Sequence, residues 1–463
     1  MSQIVTEIAP VENQINLFFH NHKLGKLLRQ SNIRKDKGVP LDTLFQFLLT
    51  LAFTGKNLFR LLEVPDTPDI PFGIRKDVVY RFLNCVSSNW RRFLLLLSTR
   101  IIFQKLLPLT NDSTTKVLIA DDTLYSRDRS KRVELLARVH DHNTNRYCRG
   151  FRMLTLGWSD GNSFIPMLFS MLSSPNEKNR LAPMRNGIDK RTNGYKRRQE
   201  SLKKSPDTLV DLVALAMAAG TKARYLLFDS WFAFPATIRR VHALGMHTIC
   251  MLKDTKTIHY TFQGDRMALK ELFKWVRKRP GRAKVLASVM VTIGEDEKGN
   301  PVAAKIVFVR DRSKKSWLGI LSTDTALADE KIIELYRRRW DIEVFFKMTK
   351  SFLNLAKECQ SRSFDALVAH TTVVFCRYIL LELARRTKSD PRNLGTLFHA
   401  TCDELRQTSF VEALALLLKL LEQSLIKLAG FTKELMLQLV EQFVAELPLP
   451  FKARLLHSAL AAK

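Results

Sequence analysis

Four acids stand where their setting suggests chemistry: Asp121, Asp122, Asp229 and Glu343. Asp121-Asp122 follows the apolar run Val117-Leu118-Ile119-Ala120, and Asp229 follows Tyr225-Leu226-Leu227-Phe228. Short apolar runs stopped by polar residues read as buried strands. Strand ends suit reactive groups, because the sheet fixes the backbone while the following loop exposes the side chain. Aspartate is also a routine strand terminator and helix cap, and for either position alone that plainer reading is preferred. Neighbouring strand residues face opposite sides, so only one of Asp121 and Asp122 can point into a given site.

The sequence predicts a long helix from about residue 326 to 353, with Tyr336, Arg339, Glu343 and Lys350 along it. At about 100° per residue these fall on one stripe roughly 60° wide, with Lys347 at its edge. An apolar stripe would mean core, but this one cannot be buried unpaired. It is either a solvated face with internal ion pairs, such as Arg339 to Glu343 one turn on, or a face that meets phosphates and metal. Glu343 comes 114 residues after Asp229, which comes 108 after Asp121.

With this order and the spacing Tyr-x2-Arg-x3-Glu-x6-Lys, residues 115 to 380 resemble the insertion-sequence-four family of bacterial cut-and-paste transposases. The resemblance implies an RNase H-like, retroviral-integrase-like fold and a catalytic Asp-Asp-Glu triad. Asp121, Asp229 and Glu343 would then be the metal ligands. The implied cofactor is Mg²⁺, with Mn²⁺ able to substitute, as two ions about 4 Å apart on either side of the phosphorus. The family's usual pattern of aspartate, any residue, then threonine or serine selects Asp121; a variant with threonine directly after the aspartate selects Asp122. Tyr336, Arg339 and Lys350 would hold DNA phosphates, with Lys347 beside them. Trp317 could stack on a flipped base, as a hairpinned end would need, although a buried strand tryptophan is the preferred reading. The implied partners are double-stranded DNA, as transposon terminal inverted repeats and target, and a second copy of the chain in a homodimer on DNA. A structure-specific nuclease, or a catalytically inactive relative that only binds DNA, are the alternatives.

The elements that must position these residues give an α/β organisation: an RNase H-like catalytic core with an inserted β domain, flanked by N- and C-terminal helical regions. A helical, DNA-binding region spans 1–112, with helices expected over 41–51 and 90–107 and a proline-marked break from Pro65 to Pro71. The core follows at 113–253 and resumes at 325–380. It includes strand candidates at 151–157 and 164–172 joined by Ser159-Asp160-Gly161-Asn162, a good hairpin turn. A helix from Ser205 to a Gly220 stop, a helix over 235–244 and a strand over 247–252 complete that part. Residues 254–324 read as the β insertion, and 381–463 as leucine-rich helices suited to dimerisation. The basic stretch 174–206 reads as a solvated loop or a DNA-contacting arm, with the arm preferred.

Composition agrees with a polyanionic partner. Lys plus Arg number 74 against 45 acids, a formal net charge of +29, which a folded chain keeps for a reason. The apolar share of 46% excludes a disordered chain. No membrane partner is expected, since the apolar stretch 371–383 is short and interrupted by Arg377. The N-terminus lacks the layout of a signal peptide, and the six cysteines form no CxxC pair, so a cytoplasmic, reducing setting is expected. His140-Asp141-His142 reads as a structural or DNA-facing loop rather than a metal site.

Overall fold

In a computed structural model of the chain, the structure describes residues 13–55, 58–61, 73–141, 144–311, 316–387, 392–406, 417 and 433–446. The proline-marked break from Pro65 to Pro71 and most of the leucine-rich 407–463 segment lie outside the described residues. The fold is mixed α/β, built on one large mixed sheet.

Its strands are β1 (Val117–Ser126), β2 (Ala137–Asp141), β3 (Arg146–Ser159), β4 (Phe164–Leu172), β5 (Tyr225–Phe228) and β6 (His247–Met251). Five more follow: β7 (His259–Phe262), β8 (Asp265–Ala268), β9 (Val285–Glu295), β10 (Pro301–Asp311) and β11 (Ser316–Ser322). The order across the sheet is β2-β3-β1-β5-β6-β11-β10-β9-β7-β8, with β4 also on β3. β1 is antiparallel to β3, parallel to β5, and β5 is parallel to β6. The apolar runs expected as strands are buried on both faces, as central strands of a covered sheet are. The β3–β4 hairpin turns at Gly161, whose φ of +88° suits glycine alone; a Cβ there would sit 3.0 Å from the Arg338 guanidinium.

Four features differ from the sequence expectation. The strand at 117–120 continues to Ser126, because β3 pairs with it along its whole length, so Asp121 and Asp122 sit inside β1 rather than after it. His140 and Asp141 end β2 instead of lying in a loop. The 254–324 strands continue the core sheet: β11 pairs with β6 from Ile320↔Met251 to Ser322↔Ile249. The helix expected over 326–353 is two helices, Asp329–Arg337 and Trp340–Ser351. Between them, tight turns run from Arg338 N to Leu335 O and from Arg339 N to Tyr336 O.

The basic stretch 174–206 is anchored rather than free. Its helix Asn193–Ser201 carries Arg198, fully buried between two carboxylates. Arg198 donates through Nε to Glu134 Oε1 at 2.6 Å and through Nη2 to Asp365 Oδ2 at 2.7 Å. An unpaired guanidinium there would cost several kcal/mol, so sequence basicity alone misreads it.

Asp365 opens the long helix Phe364–Thr387, which is apolar enough to suit a membrane but has 94% of that window buried within the protein. It packs on β4 and on the N-terminal helices Leu41–Thr50, Lys76–Leu83 and Trp90–Ile101. Arg377, 0% exposed, donates to Leu48 O, Leu49 O and Leu353 O and pairs with Glu358. The N-terminal helices therefore share one core with the sheet.

Candidate active site

The site lies where β1 outruns β5. Their parallel register ends at Ile119↔Leu227, whereas β1 stays on β3 as far as Ser126↔Gly150. Beyond Ile119, β1 borders a cavity of about 920 Å³. Asp229, Ser230 and Trp231 close it from the end of β5, and Glu343, Lys347 and Lys350 from the helix Trp340–Ser351.

That helix is fixed by its other face. Ile342, Phe345, Phe346 and Thr349 are buried, and the Phe345 ring lies 4.7 Å from Tyr378 and 5.3 Å from Phe164. A phenylalanine so placed contributes about 3–5 kcal/mol, judged by the usual cost of truncating one. The opposite face, at steps of four and three residues, turns Glu343, Lys347 and Lys350 to the cavity.

Asp121 faces Asp229 closely enough for their charges to repel. Burial, then Asp229, pushes the Asp121 carboxyl up to about 7, with Arg339 pulling the other way. Arg339 donates through Nη1 to Asp121 Oδ2 at 3.0 Å and through Nη2 to Glu343 Oε1 at 2.5 Å. One guanidinium thus ties the acid of β1 to the acid of the helix. Asp122 also borders the cavity, but its carboxylate is 4% exposed and gripped by Arg152, whose Nε donates to Oδ2 at 3.2 Å. Lys350 donates to Thr123 Oγ1 at 2.6 Å, and burial lowers its pKa. Tyr336 lies half-buried behind Arg339, where burial holds its phenol well above the ordinary value.

Of the residues singled out from sequence, the structure brings together Asp121, Asp122, Asp229, Glu343, Lys347 and Lys350 on the cavity wall. Arg339 touches two of them, with Tyr336 behind. Trp317 is elsewhere: it stacks on Phe273 at 4.5 Å and meets Phe308 edge-on at 5.2 Å. The sequence reading missed Arg152, Trp231, Lys253 and Lys357, which also line the cavity. Trp231 is 43% exposed, with the Lys253 ammonium 6.0 Å above its ring. Lys253 follows β6 closely, so the strand-end logic used for Asp229 could have found it.

The donor set suits a hard divalent cation. Two carboxylates face each other, with burial first and then the charge of Asp229 raising the Asp121 pKa, and oxygen ligands are what Mg²⁺ takes. Among the described residues no three acidic, histidine or cysteine side chains already converge as a closed cage for one ion. Asp121 instead faces Asp229 and shares Arg339 with Glu343.

The raised carboxyl gives a stability prediction. Its folded pKa of about 7 exceeds the ordinary 3.8, so the folded chain holds a proton that the unfolded chain has lost between those values. Metal-free stability therefore falls as pH rises from about 4 to 7, by a few kcal/mol in all. Asp121→Asn is expected to raise the melting temperature in EDTA by several degrees at pH 8, with the gain shrinking toward pH 4. A gain independent of pH would show that Asp121 is not strained by its charge.

Residues 48–284, just over half of the chain, match the family model described as DDE superfamily endonuclease. The match takes in Asp121 and Asp229 and ends before Glu343. No curated protein matches the chain.

Proposed function

The chain belongs to the DDE superfamily endonucleases, and from that premise we propose that it is a DNA transposase of the cut-and-paste kind, similar to the insertion-sequence-four family. The observation that carries the reading is the joining of Asp121, Asp229 and Glu343 around one cavity, with Arg339 bridging the first and last. An RNase H-like core is supported by the strand order, with antiparallel β3 on one side of β1 and parallel β5 and β6 on the other.

Mg²⁺ held by Asp121, Asp229 and Glu343, with Mn²⁺ able to substitute, would supply Lewis-acid charge and an activated water. Arg339 would exchange its carboxylate contacts for a phosphate oxygen as those acids turn to the metal, its planar fork suiting either partner. Lys347 and Lys350 would take flanking phosphates, while Tyr336 holds Arg339 from behind. Water attack breaks the P–O3′ bond and leaves a 3′ hydroxyl on the transposon end. That hydroxyl then attacks a target phosphate, expelling a target 3′ oxygen. The partners are duplex DNA, as transposon terminal repeats and target, and a second copy of the chain; a hairpinned end is part of the proposal.

The test is a cleavage assay on a labelled duplex carrying the element's own end, with Mg²⁺ or EDTA. Wild type is expected to release the 3′ hydroxyl only with metal. Glu343→Gln should bind the duplex but cleave at a rate lower by about 10³-fold, the loss of roughly 4 kcal/mol of transition-state stabilisation. Wild-type cleavage by the variant would remove Glu343 from the site. Metal-independent binding without any wild-type cleavage would turn the reading to an inactive DNA-binding relative.

A further inference from the structure

Outside the cavity, the most concentrated charge among the described residues lies just before β9. Residues 273–286 carry Lys274, Arg277, Lys278, Arg279, Arg282 and Lys284 and no acid. All six are exposed, and Trp275 between them is 76% exposed. Trp275 thus adds an open aromatic ring to a run of six cations without an acid. That combination is what a nucleic-acid surface uses: cations for phosphates, and a flat ring for a sugar or base.

The loop is built rather than loose. Arg279 N donates to Leu286 O at 2.7 Å, and Arg310 N to Lys284 O at 2.9 Å. The Arg310 side chain also donates to Ala283 O at 3.1 Å and Gly281 O at 2.9 Å. Gly281 makes the turn with φ +73°. Beneath it, Phe273 stacks on Trp317, and Lys278 caps the Phe273 ring at 5.0 Å. Trp317 thus lies under this loop.

Register places the loop on the edge of the sheet that carries the acids. β5 and β6 run in parallel toward Asp229, with Phe228 level with Cys250. β11 meets β6 at Ile320↔Met251, so Ser316 through Gly319 project past the end of β6 on that edge. Leu318 pairs with Val309, and Val309 with Val285, so β9 begins there too. From β5 to β9 is four strand spacings, roughly 19 Å at about 4.8 Å each. Along duplex DNA that is about six base pairs at about 3.4 Å each.

We propose that residues 274–284 form a second DNA-contact surface, which grips duplex phosphates roughly six base pairs from the phosphate being cut. The proposal rests on the nuclease reading of the cavity. A duplex lying along this edge meets Lys253 and Trp231 at the cavity rim and then the basic loop, with the +29 chain drawing it in.

The test compares wild type with Arg277→Gln/Lys278→Gln/Arg282→Gln/Lys284→Gln, leaving Arg279 in its pair with Asp329. The probe is a random-sequence 30-base-pair duplex, bound in EDTA over a range of salt, with Mg²⁺-dependent cleavage of the element's end followed in parallel. Each phosphate contact releases counterions, so the slope of log K against log salt is expected to fall by about three to four. Affinity near physiological salt should fall on the order of a hundredfold or more. A slope that falls by less than about one in all would mean that the loop acts through net charge alone and would overturn the contact surface. A milder Arg277→Gln/Arg282→Gln pair, should the fourfold variant melt early, is expected to lower the slope by nearly two. An unchanged slope with wild-type cleavage intact overturns the loop surface and leaves the nuclease reading standing. A reduced slope with no wild-type cleavage does the reverse, and wild type that binds no duplex overturns both.

Discussion

Asp121→Asn is expected to lower metal-dependent cleavage by about 10³-fold or more, while Asp122→Asn stays within about tenfold of wild type. The two carboxylates are adjacent on β1 and leave opposite sides of the strand. Asp121 faces Asp229 and is tied through Arg339 to Glu343. Asp122 is sealed against Arg152, which also donates to His140 O at 3.3 Å, tying β1 and β2 together. Asparagine at 122 keeps an acceptor for Arg152, so its cost should fall on stability. Single-turnover cleavage in Mg²⁺, with binding measured separately, decides the matter. Equal losses at both positions, or the larger loss at Asp122, would reverse the assignment.

Arg377→Met is expected to destabilise the protein by about 3–5 kcal/mol, because it takes the cationic partner from the buried Glu358 carboxylate and leaves it only His370. Arg377 donates to Glu358 through Nη1 at 2.8 Å, and to the carbonyls of Leu49 and Leu353 at 3.0 and 3.1 Å. Glu358 also accepts from His370 Nε2 at 2.9 Å, and burial lowers the His370 pKa. Replacing the acid as well, in Arg377→Met/Glu358→Leu, should recover part of the loss, since no charge is then left unpaired. Thermal or urea melts of the three proteins measure this. A single variant that melts like wild type would mean that the buried pair adds nothing to stability.

Much of this was legible in the chain, and what was not has local causes. The strands of β1 and β5, the Ser205–Ala218 helix and the turn at Gly161 all carry their own short-range signals. So does the grouping of Glu343, Lys347 and Lys350, because spacing fixes a helix face. The break at Arg338 and Arg339 has neither proline nor glycine to announce it. It accompanies distant contacts: Arg338 donates to Thr115 O at 2.5 Å, and Arg339 reaches Asp121. The length of β1 was hidden because its second half borders a polar cavity and so loses the apolar signature of a strand. Arg198 looked like a surface cation because its carboxylates lie 64 and 167 residues away. Strand neighbours such as β6 and β11 are equally invisible, since pairing across such distances leaves no periodicity.

That last pairing has a bearing on how the chain can be shortened or rearranged. Because β11 covers β6, the 254–324 segment closes a row of backbone donors and acceptors at Ile249, Cys250 and Met251 that would otherwise stand open. A bare hydrophobic strand of this kind invites a second molecule to pair with it. The segment therefore protects the core from self-association, and a version lacking it should precipitate rather than persist as a smaller nuclease.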